Sequence, residues 1–491
     1  MSEYEREARR ERLEALRQAG VDPFPARVAA TQRIRDIRSR FDSLDAEALE
    51  AQGESVSIAG RIMAKRKFGK LMFVQLREDG SGLQVSVRKQ EVSAELFDFA
   101  KDLDVGDFVR VEGPLWRTKT DELTVDLREM ELLAKSLRPL PEKWHGLSDV
   151  ETRFRQRYLD LLVNEDARRI ALLRSRIVKA MRAFLDQRDF IEVETPVLQP
   201  LYGGAAAQPF TTHHKTYSQD LYLRISDELY LKRLVVGGIE RVYEIAHNFR
   251  NEGVSRKHNP EFTMMECYQA YADYRDMMDL TQAMVQEIAE TVLETTSVVY
   301  QGAEIELGGT WPRISMRDAI FDACGVDILS ASGIDELREA IRASGREPGD
   351  GPTWGAMVDD LFSECVEPKL VQPTFIIDYP VELSPLAKRS AHDPRVVERF
   401  EIFIAGMELG NAFSELNDPI DQRERFLSQR EAHDAGDKEA HPLDEDYLRA
   451  LEQGLPPTGG LGIGVDRLVM VLTDAPNLRE TVLFPHIRPE S

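Results

Sequence analysis

In the first twenty residues the apolar positions Leu13 and Leu16 fall on one side of a run of Arg and Glu, which stops at Gly20 ahead of Pro23 and Pro25. That spacing predicts a charged helix over Glu3–Gln18 with a glycine stop. From Ser55 to Leu133 the pattern shortens to alternating or β-rich runs, at Val56–Ala59, Leu71–Leu76, Leu83–Val87, Phe108–Glu112 and Leu123–Leu127, with glycine-bearing turns between them. Five strands of this length predict a small barrel. Leu137–Lys143 carries two prolines and is expected to be a stiff linker. Beyond it, Ile170–Gln187 has the spacing of an amphipathic helix, and Phe190–Val197 is β-rich but interrupted by Pro196. Further strands are predicted at Leu221–Ile225, Arg241–Ile245, Phe375–Tyr379, Phe400–Ile404 and Leu461–Val465, with helical patterns between them. Strands of mixed spacing with intervening helices imply an α+β domain.

At 491 residues the chain is too long for one ordinary core. The pattern divides it into a helical extension (1–50), a β-rich domain (51–136), a linker (137–150) and a large α+β domain (151–491), the last with a helical insertion around 271–369. Hydrophobic content of 42% and charged content of 30% describe a soluble globular protein. No window approaches the roughly 18 apolar residues of a membrane span, and Met1–Arg12 is charged where a signal peptide is apolar, so a cytoplasmic protein without membrane contact is expected. Cys267, Cys324 and Cys365 are widely spaced, which favours buried free thiols over a metal site.

The net charge of −23 argues against a polyanionic partner, but binding depends on patches, and Arg61, Lys65, Arg66, Lys67 and Lys70 form a basic run. With Phe73, the pattern is compatible with an OB-fold that binds single-stranded nucleic acid through stacking and backbone charge. A solvated strip of surface is the plain alternative. No Gly-x-Gly-x-x-Gly opens a helix after a strand and no Walker-type loop occurs, so any nucleotide is held another way.

Phe249-Arg250-Asn251-Glu252 follows a predicted strand, and after a polar stretch the chain continues His258-Asn259-Pro260-Glu261-Phe262-Thr263-Met264-Met265-Glu266. Two strands joined by a polar loop can present Arg250 to a phosphate in charge-assisted, bidentate fashion. Alone, an Arg-x-Glu sequence is ordinarily a surface ion pair. The whole block, however, resembles the second signature motif of the class II aminoacyl-tRNA synthetases, specifically the bacterial type of lysyl-tRNA synthetase. Gly459-Gly-Leu-Gly-Ile-Gly-Val-Asp-Arg467 resembles the third motif, and Phe190–Pro196 the first, whose proline lies at a dimer interface.

The resemblance implies an N-terminal OB-fold β-barrel that binds the anticodon through Arg61, Phe73 and Gln84. It also implies a class II catalytic domain with a mixed, mainly antiparallel sheet flanked by helices, acting as a homodimer on ATP, L-lysine and tRNA(Lys). Arg250 is implied on the α-phosphate and the substrate carboxylate, Glu252 and Phe262 on adenine, His258 and Arg467 towards the outer phosphates, and Asn259 among the ATP-binding residues. Glu401 and Glu408, on a strand-like segment and its continuation, are implied to hold Mg²⁺. Attack of a carboxylate on a phosphate joins two anions, which explains the need for fixed cations.

Lysine needs acceptors for its ammonium groups and an apolar wall for its methylenes. Glu228, Glu266, Tyr268, Asn411, Phe413 and Glu415 correspond by resemblance to that pocket, and Gly204 to the small-residue loop over the α-amine. Aspartyl and asparaginyl enzymes share the motifs, yet an aspartate side chain requires a cation where these positions are anionic. Arginine and ornithine stay open. The rivals are a paralogue that attaches lysine to a protein and an inactive relative, which would be expected to lose Arg250, Glu401 or Arg467. Ala246-His247, Gln208 and Ser226-Asp227 depart from the family's usual residues.

Overall fold

The computed structural model describes residues 3–141, 147–349, 351, 353–434 and 442–489. The chain forms two compact units, one before Leu147 and one from Leu147 onward. Of the expected linker, Leu137–Pro141 contains neither helix nor strand, and Glu142 and Lys143 lie outside the described residues.

In the first unit, helix α1 (Glu3–Gln18) has the predicted bounds, and Gly20 turns the chain at φ 77°. Leu13 is buried, and the Arg9 guanidinium donates to the carbonyls of Val105 (3.0 Å) and Ser136 (3.1 Å), so the helix is fastened largely by charge-assisted bonds. Six strands follow rather than five: β1 (Ser55–Phe68), β2 (Leu71–Glu78), β3 (Ser81–Arg88), β4 (Phe108–Arg117), β5 (Leu123–Asp126) and β6 (Glu129–Ala134). They join in the order β1-β2-β3-β5-β4-β6, with β1 also pairing with β4. The overlooked β6 is separated from β5 by only two residues and opens Glu-Met-Glu, too polar to stand out as a β-rich run.

Alternation is clean along β2, β4 and most of β1, while β5 is buried at every position. Val56, Ile58, Val74, Leu76, Leu83, Val85, Val109 and Val111 are each at most 1% exposed and form one core, and full burial of such a side chain contributes about 1.5–3 kcal/mol. Helix α2 (Ala94–Asp102) is N-capped by Ser93, whose Oγ accepts from the Leu96 N–H at 3.1 Å. At its other end the Lys65 ammonium donates to the carbonyls of Ala100 and Lys101 (2.9 and 2.8 Å). Lys65 therefore leaves the expected surface patch and acts inside the unit. Burial brings its pKa down to about 8.

The second unit is organised on eight strands: β7 (Ile191–Glu192), β8 (Arg241–Phe249), β9 (Glu261–Ala270), β10 (Arg313–Ser315), β11 (Thr374–Pro380), β12 (Val396–Ile404), β13 (Met407–Ser414) and β14 (Thr458–Gly464). Their order is β10-β11-β12-β13-β14-β9-β8-β7, antiparallel throughout except for the outer pairs β10–β11 and β7–β8. The sheet is thus mixed and mainly antiparallel. Pro196 confines the Phe190–Val197 segment to the two-residue β7 in this sheet.

One face is covered by α3 (Glu165–Asp186), α5 (Tyr274–Leu293) and α6 (Val465–Thr473), while the shorter α4 (Glu228–Val236) packs towards the β8 end. Ile177, Met181, Phe184, Met284, Val285, Ile288, Leu468 and Val469 meet Met265, Cys267, Phe400, Leu461 and Ile463 in the main core. The 271–369 stretch is therefore divided: α5 belongs to this core, while the helices Met316–Cys324, Ile334–Ala343 and Trp354–Cys365 form a second cluster against Ile376, Tyr379 and Phe403. Cys267 and Cys365 are buried and all three thiols are free. Among the described residues no helix is long and apolar enough to cross a membrane.

Candidate active site

Strand periodicity decides which side chains leave the core. On β9, Met265 and Cys267 point into it, so Phe262, Met264, Glu266 and Tyr268 face the other way. Their partners on β14 are glycines: Gly464 opposite Met264, Gly462 opposite Glu266 and Gly460 opposite Tyr268. Across β14, Gly462 meets Asn411 and Gly460 meets Phe413 of β13. The glycines form a floor one strand wide between two rows of side chains. A Cβ at Gly460 would lie 1.9 Å from Glu415 Oε1 and 2.5 Å from the Tyr268 ring, so space rather than backbone angle requires glycine there. Above the floor is a cavity of about 360 Å³, and every residue expected of the catalytic site lines it.

At one end, Arg250 directly follows β8. Its N–H donates to the Pro260 carbonyl at 2.9 Å, its guanidinium lies 5.1 Å from the Phe262 ring centre, and its Nε has no partner. Arg467, in the first turn of α6, donates to the Glu408 carbonyl (2.7 Å) and Oε2 (3.1 Å). His258 lies on the exposed loop between β8 and β9, with Nδ1 2.8 Å from Ser255 Oγ. Partial burial, then Arg467 and Lys257, hold its pKa below the ordinary histidine value, so it meets this end as a neutral imidazole. Asn259 is buried, its Nδ2 bonded to the Glu261 carbonyl at 2.6 Å and its Oδ1 unpartnered. Glu252 is exposed at the cavity's lip.

Glu401 and Glu408 do not lie on one strand and its continuation. They lie on the hairpin β12–β13, reversed at Ala405-Gly406, both with positive φ (56° and 68°). Ile402 pairs with Gly410 but Phe403 with Glu408, so Leu409 is an extra residue, a β-bulge. The bulge resets the alternation and brings Glu408 onto the face that holds Asn411 and Phe413. Glu401 opposite Asn411 and Arg399 opposite Phe413 share it.

Burial pushes the Glu401 carboxyl up to about 7, with the Arg399 guanidinium opposing and the Glu408 charge adding to the shift. Burial acts on Glu408 in the same direction, but Arg467 prevails and lowers its pKa. Two carboxylates facing one cavity are hard oxygen donors that suit a divalent cation. Among the described residues no cluster of three or more His, Cys, Asp or Glu suited to a metal occurs, so such an ion would take its other oxygens from phosphates and water.

At the other end three carboxylates converge. Glu228, in the first turn of α4, Glu266 on β9 and Glu415 just after β13 are 6%, 3% and 1% exposed. Ser226 Oγ donates to Glu266 Oε1 at 3.0 Å, the Asp227 N–H adds a longer bond at 3.3 Å, and the Tyr268 hydroxyl lies 3.4 Å from Oε2. Burial, with the Glu228 charge, pushes Glu266 up to about 7. Gly204, at φ 88°, leaves no room for a Cβ against Ser226 Oγ (2.8 Å) and Glu228 Cβ (3.1 Å).

The unusual residues find local partners. Ser226 is the donor to Glu266, Asp227 pairs with Arg224 (3.2 Å), His247 with Glu261 (3.0 Å), and the Gln208 carbonyl accepts from the Asn251 N–H (2.8 Å). Two side chains escaped sequence reasoning. Arg399 donates to Asn411 Oδ1 at 2.8 Å and pairs with Glu401; its place two residues before Glu401 on one strand was the available signal. Lys232 pairs with Glu228 and Glu415; its i,i+4 spacing from Glu228 on a helix was the hint.

In the first unit, Arg61 pairs with Arg77, Phe73 with Ser86 and Gln84 with Gln75, so the three expected residues share the face of β1–β3 opposite the core. Arg61 lies 4.2 Å over the Phe108 ring, Gln84 donates to Thr124 Oγ1 at 2.9 Å, and Phe73 contacts the exposed Phe68 edge-on with ring centres 6.4 Å apart. Phe68 adds a second ring to that face.

The model for class II tRNA synthetases (D, K and N) matches residues 149–488, and that for an OB-fold nucleic acid binding domain matches residues 56–140. The chain is 55% identical over 480 residues to a lysine–tRNA ligase of Roseiflexus castenholzii, covering 97% of each. It is 55% identical over 483 residues to that of Chloroflexus aurantiacus (98% and 97% covered) and 49% identical over 482 residues to that of Bacillus subtilis (98% and 97%).

Proposed function

We propose, on the premise that the chain belongs to the class II tRNA synthetases (D, K and N), that its cavity activates lysine with ATP and that the lysyl group then passes to the 3′ end of a lysine tRNA. The observation that carries this reading is the convergence of Glu228, Glu266 and Glu415 at one end of a cavity whose other end presents Arg250 and Arg467. The carboxylates receive the two ammonium groups, while Tyr268, Phe413 and Asn411 line the methylenes. An aspartate side chain would meet like charge there, at a cost of several kcal/mol. The lysine–tRNA ligases matched along nearly the whole chain support the same substrate.

Arg250 binds the lysine carboxylate and the α-phosphate together, which offsets their repulsion as the carboxylate oxygen attacks phosphorus. The bond to pyrophosphate breaks and lysyl-adenylate forms. The ribose hydroxyl of the tRNA end then attacks the carbonyl carbon, loses its proton and displaces AMP. No side chain need become covalently attached. Glu252 accepts from the adenine amine, Phe262 stacks on the ring, His258 and Arg467 take the outer phosphates, and Asn259 contributes to the ATP site. Glu401 and Glu408 would hold Mg²⁺, which supplies neutralisation of phosphate charge when bound.

The nucleic acid binding unit favours tRNA over a protein as acceptor, with Arg61, Phe73 and Gln84 reading the anticodon. The exposed apolar Ile191, Val197 and Leu198 around Pro196 support a homodimer, and the reaction is assigned to the cytoplasm. Arg250→Ala is expected to lower lysine-dependent ATP–pyrophosphate exchange by about 10²–10³-fold, as loss of an oriented charge donor does. Exchange at the wild-type rate in that variant would remove Arg250 from the chemistry. Aminoacylation assayed with purified tRNA separates the protein-modifying alternative.

A further inference from the structure

Lys232 lies on α4 one turn after Glu228, and its side chain is fully buried. Its ammonium sits 2.5 Å from Glu228 Oε1 and forms a second ion pair with Glu415. The rings of Phe413 and Tyr268 are centred 5.3 and 6.0 Å from Nζ. All four neighbours line the cavity and Lys232 does not, so it holds the two carboxylates from behind. Glu415 Oε1 has no partner.

The charges can be counted. Three buried carboxylates (Glu228, Glu266 and Glu415) against one internal ammonium (Lys232) leave two net negative charges at this end. Lysine brings two ammonium groups, and its carboxylate is matched separately by Arg250. Without Lys232 the three carboxylates would exceed the substrate's cations by one, and a buried group in that position takes up a proton instead. Other ionisable groups packed around the cluster are Asp227 ahead of α4, Tyr268 on β9, Arg399 on β12 and Tyr447 on the helix Glu445–Leu451.

We propose that Lys232 is a positioning residue that fixes the carboxylates of Glu228 and Glu415 and sets the pocket's charge to match a substrate with two ammonium groups. This rests on the lysine reading above. A role in folding alone would not tie lysine affinity to pH; this role does.

The test measures lysine-dependent pyrophosphate exchange by the full chain between about pH 6 and 9, with lysine and ATP varied separately. Lys232→Met is expected to raise the lysine KM by ~10–100-fold near neutrality, the value of one charged hydrogen bond, with the ATP KM within about 2-fold. Its lysine KM keeps falling across the upper part of that range, because burial without Lys232 pushes the surplus carboxylate further up. In the wild type Lys232 opposes the upward push of burial on Glu228 and Glu415, so the pH slope is shallower there and centred on Glu266, at about 7.

The decisive comparison is Lys232→Met/Glu228→Gln against Glu228→Gln alone. The double variant restores two net negative charges and removes one of the two carboxylates that Lys232→Met leaves without their cation, so it is expected to fold where Lys232→Met does not. It is expected to bind lysine more tightly than Glu228→Gln. A double variant no tighter than Glu228→Gln, or lysine and ATP KM values that rise together without a pH slope, overturns the proposal. Absence of lysine-dependent exchange in the wild type would instead defeat the lysine reading itself, and this proposal with it.

Discussion

Glu266 is buried beside Glu228 and keeps its proton up to about pH 7, where an exposed glutamate would be ionised. A protonated carboxyl cannot pair with an ammonium, so proton and lysine compete for it. The sign follows directly: below 7 the proton wins, and above 7 the carboxylate is free. The lysine KM is therefore expected to fall as pH rises through 7 and then to flatten, which exchange assays across that range measure; a KM that rises over the range would contradict this. Legibility at this scale tracks chain proximity. Arg250, Glu252, His258, Phe262 and Arg467 sit in two short blocks that could be recognised as blocks. Lys232 could not, because one of its partners, Glu415, is brought in from a distant strand end by the fold.

Two features of the elements shape the site, and one of them was invisible. The glycine run of β14 stood out, and its meaning is steric: Gly460 and Gly462 lie between Glu266 and Tyr268 on one side and Asn411 and Phe413 on the other. Gly460→Ala places a methyl against Glu415 and Tyr268, so the lysine KM is expected to rise at least ~10-fold while the ATP KM, set at the other end, changes little. Kinetics with each substrate varied in turn checks this; equal loss for both would mean that the whole sheet has shifted. The bulge at Leu409 had no such signature. A one-residue slip inverts which face each side chain takes, so strand periodicity alone placed Glu408 on a continuation of its neighbour's strand. Likewise β6 was hidden by its polar opening, and Lys65 looked like surface charge although it caps α2.

On the scale of the molecule, net charge was the least informative number. A chain at −23 contains both an OB-fold nucleic acid binding unit and a nucleotide-sized cavity with opposite charge at its two ends, because local arrangement rather than the sum decides what binds. The change of hydrophobic period after Leu133 lies close to the boundary between the two units after Gly146. The split of the 271–369 stretch between two cores was not legible, because helical periodicity does not say which core a helix joins. The central claim is that the anionic end of the cavity selects lysine. It is tested most directly by ATP–pyrophosphate exchange with the wild-type chain, each amino acid supplied singly at equal concentration. Lysine is expected to sustain exchange at least ~10²-fold above aspartate, asparagine and the neutral amino acids. Exchange driven equally well by aspartate or asparagine would contradict it.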